Sequence, residues 1–320
     1  MSITAKSAVF LLCLFAFGLS ASRAQTYPDK PLHIVVPYAA GGGVDNITRV
    51  VSERLATRLK QVVVIDNRPG ANGNIGANLV AKANPDGYTM LMGASFLATN
   101  RASEANMTYD ALTDLIPVAR AGRSSQILLV PSTLQVKTVS ELIEYLKANP
   151  TTTAYGTVGT VSPTALIFIK NTATSPVQIL YKGGSLAMPD LISGRLTFMI
   201  PVASEGLPHV SSGKLRALAV TGNQRMKALP TVPTLQEAGV ANLEGIIWWG
   251  LFAPVKTPQA IIDKVSQEML ALLEYPEVAS AFAQLGIEPA ALNAQQFASF
   301  YQAEIQSYAQ VAKEFNLMAK

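Results

Sequence analysis

The residues with the strongest claim to chemistry in this chain are three consecutive glycines, Gly41, Gly42 and Gly43, with Asp45 just beyond them and Arg49 four residues later. They follow a β-branched run, Ile34-Val35-Val36, that stops at Pro37 as a buried strand would. Tyr38-Ala39-Ala40 leads into the glycines, and an amphipathic run opens near Asp45. Strand, glycine turn and helix in that order leave unpaired amides at the helix start, beyond the strand end. Glycine lets the backbone come close to a guest. The chemistry on offer is capture of a small anion. An ordinary strand-to-helix turn, with Asp45 capping its own helix and pairing with Arg49, fits the same residues.

Catalytic chemistry finds little to work with. The histidines are His33, inside the first strand, and His209, which follows Leu207-Pro208 and reads as a helix-surface residue. Gly93-Ala94-Ser95-Phe96-Leu97 approaches a nucleophile elbow but lacks the final glycine of G-x-S-x-G. With one cysteine, Cys13, and no H-E-x-x-H spacing, no metal site is expected. A dinucleotide site would use Gly41 and Gly43 with Asp66 at the end of the next strand, but Asn46 stands where the third glycine belongs. The glycine loop also has no Gly-Lys-Ser/Thr ending. Neither catalytic residues nor a cofactor are expected.

The elements that must position the glycine turn alternate along the chain. Periodicity predicts a helix over 44–59, a strand over 62–65, a helix over 75–83 and a strand over 88–92. That alternation argues for a mainly parallel sheet with helices on both faces, whose ligands bind beyond the carboxyl ends of strands, at 38–43, 67–74 and 93–100. Two apolar runs over 115–130, interrupted at 121–125, mark a passage to a second half. Thr138 with Glu141 forms a capping box, and strand–loop–helix units follow at 154–171 and 177–192. Strands near 196–200 and 215–220 complete that half, and 246–253 returns. Thr257-Pro258 and Asn293 with Gln296 open the terminal helices.

Composition bounds the class. Lys6 precedes an apolar stretch over 8–19, and Ser22-Arg23-Ala24 then offers small residues to a signal peptidase, so cleavage is expected after Ala24. The stretch is shorter than the about 20 residues that span a bilayer. Cys13 leaves with the leader, so no disulfide is expected. Without Lys6 and Arg23 the chain carries 23 basic against 21 acidic residues, with no run of five cations, and a nucleic-acid partner is excluded. With 49% hydrophobic and 14% charged residues it is a compact globular chain, long enough for two lobes.

Several loops read together resemble one family. Pro37 to Gly43 with Asp45, then Asp66-Asn67-Arg68-Pro69-Gly70-Ala71 with Gly73 to Ala77, then Pro85 to Thr89 are similar to the Bug family, the periplasmic substrate-binding proteins of tripartite tricarboxylate transport systems. Tyr181-Lys182-Gly183-Gly184, Leu207-Pro208-His209, Gly213 to Val220, Pro233-Thr234, Glu237-Ala238-Gly239 and Trp249 to Pro254 continue the match. The resemblance implies an α/β, type II periplasmic-binding-protein fold with two lobes joined by crossover strands. Lobe 1 would hold residues 25–121 and 250–320, and lobe 2 residues 122–249. It implies a monomer that closes on a small carboxylated organic acid and passes it to integral-membrane transporter subunits. A periplasmic subunit signalling to a membrane kinase is the alternative, and an exported enzyme of this fold is disfavoured by the missing catalytic groups.

By the same resemblance, one ligand carboxylate lies between Tyr38, Ala39, Ala40, Gly41, Gly42 and Gly43 and the second-lobe loop Thr157, Val158, Gly159, Thr160, Val161 and Ser162. Ser95, Phe96, Leu97 and Ala98 with Tyr181, Lys182, Gly183 and Gly184 line the rest. The chain departs from the family at Val158, Val161 and Ala165 and at Ile200-Pro201, where many relatives carry polar groups. With Phe96 and Leu97, these either make an apolar pocket that prefers aromatic or aliphatic acids to citrate or repack the lobe core.

Overall fold

The computed structural model describes residues 27–103, 107–158, 162–241, 243 and 245–314. The expected leader over 1–24 lies outside them. The first half runs β1 (Leu32–Val36), α1 (Gly43–Leu59), β2 (Val63–Asn67), α2 (Asn74–Ala81), β3 (Thr89–Ala94) and α3 (Phe96–Ser103). Strand β4 (Leu115–Ser125) leads to β5 (Ile127–Pro131), and α4 (Val139–Ala148), β6 (Ala154–Val158), α5 (Pro163–Thr172), β7 (Val177–Tyr181), α6 (Gly184–Ile192), β8 (Phe198–Met199), α7 (Ala203–Ser211) and β9 (Leu215–Val220) follow. Strand β10 (Ile246–Pro254) returns, and α8 (Gln259–Leu273), α9 (Pro276–Gln284), β11 (Glu288–Leu292) and α10 (Ala294–Glu314) end the described chain. None of these helices is long and apolar enough to cross a membrane.

The strands form a six-stranded sheet, β11-β4-β10-β3-β1-β2, and a five-stranded sheet, β7-β6-β8-β5-β9. Each has a parallel trio, β2-β1-β3 and β7-β6-β8, joined by an antiparallel strand, β10 or β5, with antiparallel pairing continuing beyond it. The sheets are therefore mixed rather than mainly parallel. Strands β10 and β5 each join a sheet whose parallel trio lies elsewhere in the chain, and a strand arriving without a right-handed helical crossover pairs antiparallel.

Burial explains the elements. In β1 every residue but His33 is buried, as a strand covered on both faces requires. Helix α1 turns Val44, Ile47, Val51, Leu55 and Leu59 inward at helical spacing. Strand β4 runs unbroken through 121–125 and the chain changes sheets at Gln126. Of the expected strand at 196–200 only Phe198–Met199 forms, and the stretch after β3 becomes helix α3 from Phe96 rather than a loop to Asn100. Thr138 accepts from Glu141 N at 3.1 Å, and Asn293 and Gln296 cap each other reciprocally. Helix α8 starts one residue later than expected, with Pro258 as its N-cap.

The last helix closes the first half. Phe297, Tyr301 and Ile305 of α10 are buried, and the Trp248 ring of β10 meets Phe297, Phe300 and Tyr301 edge-on at 5.5–5.8 Å. Trp248 Nε1 donates to Glu304 Oε2 at 3.0 Å. In the second half Phe198 stacks on Tyr155 at 5.4 Å and meets Phe168 edge-on.

Candidate functional site

At the carboxyl ends of β1, β3, β6 and β8 the two halves face each other across a cavity of about 160 Å³. The glycine turn forms one lip. Gly41 has φ of +77°, which only glycine adopts without strain, and its amide donates to Asp45 Oδ2 at 2.9 Å. Asp45 is 1% exposed and also accepts from Arg49 Nε (2.7 Å), Arg49 Nη2 (3.1 Å) and Asn67 Nδ2 (3.1 Å). The ordinary reading of the turn holds in part: Asp45 pairs with Arg49, but it braces the loop through the Gly41 amide instead of capping its own helix, whose N-cap Gly42 has no side-chain partner. Burial pulls the Asp45 carboxyl up, but Arg49, the Gly41 amide and Asn67 outweigh it and hold it below its ordinary value.

Asp45→Asn is expected to lower stability by about 1–3 kcal/mol through lost charge-assisted bonds. Because the folded carboxyl is depressed, its contribution is present above the ordinary aspartate range and lost as pH falls through the folded value. Urea titrations of both proteins should differ at neutral pH and converge in acid.

Opposite this lip, α6 begins at Gly184 with Gly183 as N-cap, and α7 begins at Ala203 with Val202 as N-cap; neither has a side-chain cap, nor does α1 at Gly42. Three helix starts thus converge. The Gly43 amide donates to Glu205 Oε1 of α7 at 2.9 Å, across the sheets. Ser185 Oγ donates to the Ala40 carbonyl at 3.1 Å. A Cβ on Gly183 would lie 3.1 Å from that of Ala39, and one on Gly184 would overlap Glu205 Oε2. A side chain at either position would crowd the contact, against the Ala39 methyl at residue 183 and the Glu205 carboxyl at residue 184. Glu205 keeps a little access to the cavity, yet burial pushes its carboxyl up to about 7, against the lowering effect of the Gly43 bond.

Of the expected site residues, Tyr38, Gly42, Gly43, Ser95, Phe96, Thr157, Val158, Ser162, Gly183 and Gly184 line the cavity. Ala39 and Ala40 instead serve the contact between loops, and Gly41 is exposed on the outer side of the turn. Leu97 and Ala98 are fully buried in the core, because α3 turns them under the sheet. Tyr181 gives its hydroxyl to Asp190 Oδ2 at 2.7 Å, and Lys182 faces solvent. Gly159, Thr160 and Val161 lie outside the described residues.

Of the departures, Phe96, Val158, Ala165, Ile200 and Pro201 line the cavity, Ile200 and Ala165 also belong to a core cluster, and Val161 is outside the described residues.

Sequence reasoning put Asn72 in the ligand-facing loop 67–74 and Trp249 in a family motif without naming either as a site residue, and it missed Gln126, Glu205 and Tyr308; all five line the cavity. Asn72 accepts the Tyr38 hydroxyl and donates to Asn100 Oδ1, which sets the angle of the tyrosine. Gln126 Nε2 donates to Ile200 O at 2.8 Å while its Oε1 accepts from Thr164 at 2.6 Å, tying β8 to α5 at the passage between sheets. Glu205 had a signal, as the lone acid between Phe198 and His209. Tyr308 had none.

The wall combines aromatic rings and aliphatic side chains with glycine backbone, small hydroxyls, the Asn72 and Gln126 amides, and one carboxyl among its described residues. No Lys, Arg or His is among its described residues. Nor do the described residues contain a cluster of three His, Cys, Asp or Glu able to hold a metal.

Residues 47–317 match the family described as tripartite tricarboxylate transporter family receptor. The chain is 33% identical over 320 residues to BugT of Bordetella pertussis, covering 98% of each chain. It is 32% identical over 312 residues to a UPF0065 protein in the tcbD-tcbE intergenic region of Pseudomonas sp. strain P51, covering 96% of this chain and 93% of the relative. Among solved structures, Rpa4515 of R. palustris with adipate is similar at a TM-score of 0.88 and 33% identity, over 91% of this chain and 98% of that one. The periplasmic binding protein BugD gives 0.88 at 29% identity, over 92% and 100%. MatC of Rhodopseudomonas palustris with bound malate gives 0.84 at 26%, over 89% and 99%.

Proposed function

The chain belongs to the tripartite tricarboxylate transporter receptor family, and we propose from that premise that it is a periplasmic solute-binding protein that closes on a small organic carboxylate and hands it to integral-membrane transporter subunits. The six-stranded sheet with its helices is lobe 1 (25–121 and 250–320) and the five-stranded sheet lobe 2 (122–249), with β4 and β10 carrying the boundaries. The protein is exported, loses residues 1–24 by cleavage after Ala24, works as a monomer and turns nothing over.

The observation that carries this reading is the pair of glycine-led helix starts, α1 at Gly43 and α6 at Gly184, facing one cavity from opposite sheets. Helix amides bind carboxylates, and the bond from the Gly43 amide to Glu205 Oε1 supports reading this terminus as a carboxylate site. Bonds to a charged group contribute about 1.5–3 kcal/mol each. Three such bonds with apolar contact reach about −8 kcal/mol, near micromolar, after the loss of ligand freedom. Donors on both lobes reach one solute only when the lobes meet, so the solute favours the closed state.

Phe96, Val158, Trp249 and Ile200 in the wall favour an aliphatic or aromatic acid over citrate. A thermal-shift panel of adipate, malate, benzoate, glutamate and citrate tests this. Adipate or benzoate at a hundredfold excess over Kd should raise the melting temperature by about 3–8 °C. A preference for citrate overturns the apolar pocket, and no shift with any acid overturns carboxylate capture.

A further inference from the structure

We propose that Glu205 makes solute capture proton-linked: when the cleft closes on an organic anion, Glu205 is a neutral acid that donates its O–H to that anion and accepts the Gly43 amide through its other oxygen. This rests on the carboxylate reading above and names the group that satisfies the ligand's charge. The proton comes from solvent on closing and returns to it on opening.

The geometry leads there directly. Among the described lining residues Glu205 is the only acid, and none is a cation. Its Oε1 holds the Gly43 amide at 2.9 Å, and Gly184 packs so tightly against Oε2 that no side chain fits between them. A ligand carboxylate entering the cavity beside Glu205 would meet a second carboxylate with no counter-charge among the described lining residues. Two such groups cannot both stay ionised in a poorly solvated pocket. A neutral Glu205 removes the repulsion and adds its own O–H to the amides and hydroxyls of the wall.

The surrounding charges do not alter this. On α1, Asp45 and Arg49 pair with each other. Before α6, Lys182 points to solvent. On α7 itself, His209 is held below its usual value by burial and by Lys214. The phenols facing the cavity are Tyr38 and Tyr308, and burial raises Tyr308. At the rear, Glu304 is engaged by Trp248.

Burial already raises Glu205 from 4.5 to about 7 in the closed arrangement. The closed state therefore holds the proton more tightly than an open, hydrated one. Closure is favoured fully below 4.5 and loses that advantage as pH rises through 7, and an anion beside Glu205 moves the upper limit higher.

Calorimetry with adipate, in buffers of different ionisation heat, counts the protons. Wild type should take up close to one proton per adipate at about pH 8, and its affinity should fall about tenfold per pH unit above that range. Glu205→Gln should bind adipate with no proton uptake and a flat profile. No uptake by wild type, or an unchanged slope in the variant, overturns the proposal. A second measurement needs neither adipate nor the variant: small-angle scattering of free wild type should give a smaller radius of gyration at about pH 5 than at about pH 8.5. If no acid on the panel binds, the carboxylate reading has failed, and scattering alone decides the linkage: a radius independent of pH overturns it.

Discussion

Gly43→Ala is expected to abolish solute capture while leaving each half of the protein folded. A Cβ at residue 43 would sit 2.5 Å from Val202 Cγ2, with Ser204 Oγ at 3.4 Å and Trp249 Cζ2 at 3.6 Å. Val202 is β-branched and stiff at χ1, so it cannot swing aside cheaply. Residue 43 is the first of α1 and has no left-handed φ, so alanine suits it locally and even favours the helix. The overlap falls on the contact between α1 and the start of α7, which must part by a substantial fraction of an ångström. The Gly43–Glu205 bond would then lengthen beyond use, and the two glycine-led termini would no longer reach one carboxylate. Affinity should drop at least about a hundredfold, or roughly 2.7 kcal/mol. Chemical denaturation should change by less than about 0.5 kcal/mol. Val202→Ala removes the clashing methyl, so the double variant should recover much of the loss, and this coupling separates a steric cause from a folding defect. Unchanged affinity in Gly43→Ala would show that the two helix starts do not close on the solute.

Trp248→Ala should have the largest effect on stability, about 3–5 kcal/mol by urea denaturation, the range for deleting a buried aromatic. Trp248 is 1% exposed and lies at the centre of the rings that fasten α10 to β10. Its indole also donates to Glu304, whose carboxyl is raised by burial and lowered by that bond. Removing the ring leaves a cavity and takes a donor from a largely buried acid, and each loss is destabilising. Because α10 carries Tyr308 to the cavity wall, solute affinity should weaken as well. Phe300→Ala, at the half-buried rim of the cluster, should cost less. A loss below about 1 kcal/mol in Trp248→Ala would mean that the C-terminal helix holds its place by other contacts.

The legible parts of this protein were those written within a few residues of one another. The turn from β1 through Gly41 to α1, the Thr138–Glu141 box and the Asn293–Gln296 pair follow from turn and capping chemistry that acts over three or four positions. The family was legible too, because its loop motifs are each contiguous. Leu97 and Ala98 were misplaced because a run after a strand end reads as loop, while its burial depends on the sheet above it.

What the sequence determined alone was the glycine turn between β1 and α1, strand–loop–helix units in two α/β halves, and the family. Only the tertiary structure decided that the two starts face each other, that β10 and α10 return to complete the first sheet, and that Glu205 reaches Gly43 from 162 residues away. The physical reason is one of range. Backbone dihedrals and caps are set by near neighbours, whereas a cavity wall is set by which distant surfaces the whole chain can bury together.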